Sequence, residues 1–266
     1  GRYGGGMQNS HSSPIVTNCT FTKNTATDSG AGMDNFASSP TVTNCSFAEN
    51  TSTAGHEDGG GMRNSDSSPI VTNCTFTKNT ASVGGGMYNR SSSYLVNSSP
   101  VVINCTFTAN TGSGMYNSSS SPLVTNCTFT ENSGCGMYNE SSSSPTVTNC
   151  TFTENSGGGM YNSTSSPVVT NCTFTGNTAS RGGGMYNYYS APVVTNCTFM
   201  ANASSGTSFS DGGGGMHNSG SSPTVTNCTF TKNTACGTTY SNNGGGGMHN
   251  SGSSPTVINC IFTENT

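Results

Sequence analysis

Ser143-Ser-Pro-Thr-Val-Thr-Asn-Cys-Thr-Phe-Thr-Glu-Asn155 recurs ten times along the 266 residues with small changes. In a strand, residues of equal parity face one side. Val147 and Phe152 are five apart, so one straight strand cannot bury both. A corner must fall between them. Asn149 is the natural place, because Asn tolerates the left-handed conformation and bonds local backbone. Val147 then points inward before the bend, and Cys150 and Phe152 after it. Thr148, Thr151 and Thr153 face outward, and Pro145 opens a strand, where its missing N–H is tolerated.

Strands this short cannot stand alone, but identical copies can stack. The reading is an all-β chain, a single-stranded parallel β-helix (solenoid) of about ten coils of 22 or more residues, with three short strands per coil. The column cysteines are Cys19, Cys45, Cys74, Cys105, Cys127, Cys150, Cys172, Cys197, Cys228 and Cys260, with a minimum spacing of 22. A second element, Gly-x-Gly-Met-x-Asn as in Gly157–Asn162, precedes each copy. Met to Cys is 12 residues in eight coils, 13 in one and 18 in one; Cys to the next Met varies from 10 to 20. Insertions therefore gather at one corner. Asparagines of the Asn162, Asn171 and Asn177 types recur beside the strands and are expected to bond from coil to coil at the bends.

The repeat makes 1–266 one elongated domain. Only 7% of residues are charged and the net charge is −4, which argues against a nucleic-acid partner. No apolar run is long enough to span a membrane. No capping coil is visible at either end. From Cys260 to Thr266 is 6 residues and from there to Met7 is 7 more, which matches the 13 of Cys74–Met87 and Cys172–Met185. The expectation is a segment of a longer array, or copies that join head to tail into a filament or stalk. The ten column cysteines read as buried free thiols, because in-register parallel side chains suit a disulfide poorly. Cys135 and Cys236 lie outside the column. No C-x-x-C occurs, and neither a metal nor another cofactor is expected.

Every coil also carries Phe-x-x-Asn, from Phe21–Asn24 to Phe262–Asn265, and the Gly-rich element before an inward apolar residue. The chain resembles the repeats of polymorphic outer-membrane proteins and related right-handed parallel β-helix repeat proteins of bacterial surfaces. In the best-known members, Gly-Gly-Ala-aliphatic stands where Gly-x-Gly-Met stands here. Right-handedness, an extracellular or cell-surface location and an adhesive role are what the resemblance implies.

Several surfaces are candidates for function. The residue after Met points outward and reads Tyr88, Tyr116, Tyr138, Tyr161 and Tyr186 in five successive coils, an exposed ladder for sugar rings or lateral contact. The alternative is that stacked tyrosines only stabilise neighbouring coils. His217 and His249 continue that column as two exposed imidazoles with no third ligand. Thr-x-Thr pairs such as Thr128/Thr130 and Thr151/Thr153 form an outward array resembling the ice-binding face of β-helical antifreeze proteins. It is interrupted at Ser46/Ala48, Met200 and Ile261. The alternative is that Thr suits an exposed strand. Glycosylation sequons fall at Asn18, Asn44, Asn73, Asn104, Asn126, Asn149, Asn171, Asn196 and Asn227. They also fall at Asn50, Asn89, Asn117, Asn139, Asn162 and Asn202, and at Asn97, which lies in an insertion. Enzymes on such folds need clustered carboxylates or bases, and the eleven acids here scatter. The expected function is therefore an extracellular structural rod, a glycan-coated filament or stalk. A carbohydrate-binding adhesin and an ice-binding protein are the alternatives, and no enzyme is expected.

Overall fold

Three left-handed corners in nine of the ten turns bend the chain into a closed loop; the turn of Cys105 has those at Asn104 and Ala109 among its described residues. In the turn of Cys150 they lie at Ser141 and Ser142 (φ 55° and 67°), at Asn149 (55°) and at Glu154 (55°). Between them run the strands Met137–Glu140, Thr146–Thr148 and Thr151–Thr153. A computed structural model describes residues 3–53, 55, 58–92, 98–206, 211–235 and 244–266. Asn97 and Cys236 lie outside the described residues.

Among those residues the strands form three parallel sheets of ten strands each, every strand hydrogen-bonded to its equivalents in the adjacent turns. Register is residue for residue: Met137 pairs Met160, Val147 pairs Val169 and Phe152 pairs Phe174. At ~4.8 Å per turn the ten turns make a rod of roughly 48 Å. Turns with long insertions add a short fourth side. Thr178–Ala179, Ala203–Ser204 and Thr234–Ala235 pair with one another, as do Thr25–Ala26 and Thr51–Ser52. The three-strand reading did not contain this side. Its sequence mark is an interior Asn followed by Thr-Ala, Thr-Ser or Ala-Ser, where turns with short loops have Asn-Ser-Gly or Asn-Thr-Gly.

The interior is a bundle of columns. Val147, Cys150, Phe152 and Met137 are buried, and so are their equivalents from Met33 to Phe230. The phenylalanine rings stack from Phe21 to Phe262 with centroids such as 4.7 Å apart for Phe152–Phe174, the pitch of the turns themselves. The glycine before each Met leaves space for this column. A Cβ at Gly159 would sit 2.6 Å from the Phe174 ring and 2.6 Å from the Gly184 carbonyl oxygen. That contact explains Gly-Met in every turn.

The asparagines need a correction. Only the Asn149 type stands at a bend. Its Nδ2 donates to Asn126 Oδ1 at 3.2 Å on the exposed side of the corner. The Asn162 and Asn155 types point inward and are fully buried. Asn139 Nδ2 donates to Asn162 Oδ1 at 2.9 Å, and Asn132 Nδ2 to Asn155 Oδ1 at 2.9 Å. The inner amides also close backbone groups, since Asn155 Nδ2 reaches the Phe129 carbonyl at 3.0 Å. An apolar core would leave the buried Asn132 N–H without the Asn155 Oδ1 that accepts from it at 3.1 Å.

Candidate functional site

The column that follows the methionines faces outward, but loops decide what solvent reaches. Turns of Cys127, Cys150 and Cys172 have the shortest connections before Met, five residues from the inner Asn. There Tyr116, Tyr138 and Tyr161 are half-buried. Tyr88 and Tyr186, at either end of the stack, are buried, which corrects the expected five-tyrosine exposed ladder. Longer insertions of the flanking turns fold over them. Further along, Asp34 and Arg63 occupy the same column as a covered ion pair at 3.0 Å.

Ring orientation corrects a second expectation. Tyr116, Tyr138 and Tyr161 lie parallel, with centroids 4.6 Å and 4.4 Å apart and planes within 3° and 7°. Their faces are spent on one another, and their edges and hydroxyls point outward. Tyr186 closes the stack edge-on to Tyr161 at 80°. A sugar ring therefore finds no free face on this ladder. Burial pushes the Tyr88 phenol up to about 12. Burial, with Glu140 adding its charge, raises that of Tyr116 as well.

Where the short loops give way to long ones, a groove of about 760 Å³ opens. Tyr138 and Tyr161 form its floor, and Tyr188, Arg181 and Asp211 stand in its walls. Arg181 Nε donates to Asp211 Oδ1 at 2.5 Å, and Nη1 to the Tyr186 hydroxyl at 3.4 Å. Tyr188 is 38% exposed, and Tyr189 beside it, 61%. They are the most exposed tyrosines at this end of the stack. Sequence reasoning missed Arg181, Tyr188, Tyr189 and Asp211, because none recurs from turn to turn. The available signal was the doublet Tyr188-Tyr189, where the neighbouring turns have Ser163-Thr164 and Ser219-Gly220.

The match to a known family covers most of this architecture. A family model described as a right-handed β-helix region matches residues 94–266, which hold seven of the ten cysteine turns. The chain belongs to the right-handed β-helix family. No curated protein matches it. Among solved structures it is similar to HetL, a pentapeptide repeat protein of the cyanobacterium Nostoc, at 8% identity and a TM-score of 0.21, over 96% of this chain and 87% of that one. It is also similar to QnrB1, a plasmid-mediated fluoroquinolone resistance protein, at 12% identity and a TM-score of 0.21, over 94% and 92%.

In this right-handed β-helix the cysteines form one column. Each backbone N–H points at the next sulfur, as from Cys127 N to Cys150 Sγ at 3.4 Å, and each thiol donates to a carbonyl two residues back, as from Cys150 Sγ to Thr148 O at 3.3 Å. All described cysteines are free. Cys19 is exposed and Cys260 half-buried at the two ends of the column. Cys135 is buried against the groove floor, where its thiol donates to Gly157 O at 3.0 Å and burial pushes it up to about 12.

His217 is buried, contrary to the exposed position expected. Desolvation lowers its pKa to about 4, which holds the imidazole neutral, with Nδ1 3.2 Å from the Gly212 carbonyl oxygen. His249 is half-buried, and its ring lies 4.8 Å from that of His217. No group of three or more His, Cys, Asp or Glu among the described residues is placed to hold a metal ion. No helix among them is long and apolar enough to cross a membrane.

The sequons divide by geometry. Asn50, Asn89, Asn117, Asn139, Asn162 and Asn202 are fully buried inside the two inner ladders, so a glycan there would require the turn to open. This corrects their candidacy. Asn18, Asn44, Asn73, Asn104, Asn126, Asn149, Asn171, Asn196 and Asn227 are exposed on the outer corner and are the sterically open sites. The Thr-x-Thr pairs align in register along one sheet, Thr151 with Thr173 and Thr153 with Thr175, with the same interruptions at Ala48, Met200 and Ile261.

Proposed function

We propose that the protein is an extracellular structural rod that builds a filament or surface stalk. One observation carries this reading: every turn presents the same cross-section, with Met, Val, Cys, Phe and two inner Asn in fixed positions through ten turns. A turn of one copy fits over a turn of another by the same ladders that join turns within a chain. Head-to-tail continuation is then the assembly with the least new chemistry. The resemblance to surface repeats of polymorphic outer-membrane proteins supports a place outside the cell, as does a surface of Thr, Ser and Asn with few charges. Electron microscopy of the concentrated protein tests it. Uniform fibres many times longer than the ~48 Å rod are expected; isolated short rods at every concentration would count against it.

A second reading is an adhesin that binds carbohydrate, favoured by the groove beside Tyr188. An exposed aromatic face opposite a planar Arg–Asp pair suits a sugar ring, with one apolar face and a rim of hydroxyls. Titration with a panel of neutral oligosaccharides should find one whose affinity falls roughly tenfold in Tyr188→Ala, equivalent to about 1.4 kcal/mol. An unchanged affinity would end this reading.

A further inference from the structure

The rod has two flat sheets that meet at the outer asparagine corner, and neither carries a charge. The sheet of Thr151–Thr153 has twenty outward positions, and so does the sheet of Thr146–Thr148; none of these forty is Asp, Glu, Lys or Arg. Charges are kept to the edge. Lys23, Glu49, Lys78, Glu131, Glu154, Lys232 and Glu264 all occupy the left-handed corner beyond the Thr-x-Thr sheet.

The two sheets differ in one respect. On the Thr146 sheet the first outward column is largely aliphatic. Ile15, Ile70, Leu123, Val168 and Val193 are 42% to 81% exposed, and Val101 is half-buried among them. Thr41 and Thr146 interrupt the column and Thr224 and Thr256 end it, so its apolar side chains fall in two runs, Ile70–Val101–Leu123 and Val168–Val193, with Ile15 apart. Exposed apolar surface repeated along one face is a mark of an interaction site. No loop among the described residues crosses this sheet, unlike the tyrosine sheet, where insertions cover both ends of the column.

We infer that this face binds a second copy of the same chain, sheet against sheet. A partner with a different repeat would lose step with the rows within a few turns, whereas a second copy carries the same ~4.8 Å row spacing over its whole length. The absence of charge removes the like-charge repulsion that otherwise keeps identical surfaces apart. The area suffices: roughly 48 Å by 10–12 Å on each copy gives about 1,100 Å² in total, just above the ~1,000 Å² that a specific contact needs.

Symmetry selects the arrangement. Two two-fold axes lie in the plane between facing sheets. An axis along the rod sets the aliphatic column against the Thr170 column of the other copy. An axis along the strands sets this column on its own copy, aliphatic on aliphatic at its densest part. With that axis between the turns of Cys127 and Cys150, Ile70 lies over Val193 and Val101 over Val168 of the other copy, Leu123 and Ile15 meet Thr146 and Thr256, and the rods run antiparallel. The face is then self-complementary, as an isologous contact requires. This pairing is lateral and does not depend on end-to-end continuation.

The test uses the protein made in a bacterial host without N-glycosylation, studied by sedimentation velocity over a range of concentrations. The wild type is expected to sediment as pairs of rods, or as pairs of filaments where continuation also occurs. Val168→Lys, at an exposed site, is expected to keep the melting temperature and to give single rods or single filaments. Thr151→Lys, on the other neutral sheet, is the control and is expected to pair like the wild type. A wild type that stays single at all concentrations overturns the inference. So does pairing that survives Val168→Lys, or that is lost in Thr151→Lys instead.

Discussion

Asn155→Ala is expected to lower the stability of the rod by about 3–5 kcal/mol, the summed cost of leaving two or more buried polar groups without partners. The Asn155 amide serves both neighbouring turns. Its Oδ1 accepts from the Asn132 N–H at 3.1 Å and from Asn132 Nδ2 at 2.9 Å. Its Nδ2 donates to the Phe129 carbonyl at 3.0 Å and to Asn177 Oδ1 at 2.9 Å. Alanine leaves the Asn132 N–H and one N–H of the Asn132 side-chain amide without their acceptor at a site with no solvent access. Asn149→Ala, at the exposed corner, is expected to cost only about 1 kcal/mol, because its lost bond is open to water and the main penalty is the left-handed backbone. Urea unfolding followed by circular dichroism distinguishes the two. Equal losses would mean that the inner ladder is not the stabilising one.

Phe152→Ala is expected to cost a similar amount, about 3–5 kcal/mol, from lost burial and the cavity left behind. The ring stacks between Phe129 at 4.9 Å and Phe174 at 4.7 Å. It also explains a glycine: a Cβ at Gly136 would lie 2.7 Å from Phe152 Cδ1 and 2.8 Å from the Gly159 carbonyl oxygen. Gly136→Ala alone should therefore destabilise by about 1–3 kcal/mol through overpacking. In the Phe152→Ala background the ring clash is gone and only the carbonyl contact remains, so the second substitution should cost less than it does alone. A double-mutant cycle measures that coupling. Strict additivity would contradict the packing of the glycine and phenylalanine columns.

Much of this architecture was legible because a single parity argument reached it. The odd spacing of Val147 and Phe152 demands a corner, and Asn149 with φ 55° supplies it. The inner asparagines were misplaced because Asn is equally at home at a bend. Parity would have placed one of them: Met160 and Asn162 are two apart within one strand, so the amide shares the buried side of the methionine. The tyrosine column was placed on the correct side of its strand, but its exposure was not legible. Burial of Tyr88 and Tyr186 depends on how insertions from neighbouring turns lie, and a repeat pattern carries no information about residues that do not repeat. The groove escaped for the same reason, since Arg181, Tyr188 and Asp211 each occur once. The exposed aliphatic column is present in the sequence as Ile15, Ile70, Leu123, Val168 and Val193, but single strands of three residues do not show a column until the turns are stacked.

The most direct test of the account is an experimental density map of the purified protein, read at three sulfur atoms. Cys127, Cys150 and Cys172 are predicted to lie on one line parallel to the rod, about 4.8 Å apart, as free thiols each approached by the N–H of the cysteine before it in the column. Sulfurs displaced from a common line, or joined as disulfides, would contradict the stacking on which the ladders, the groove and the paired face all rest.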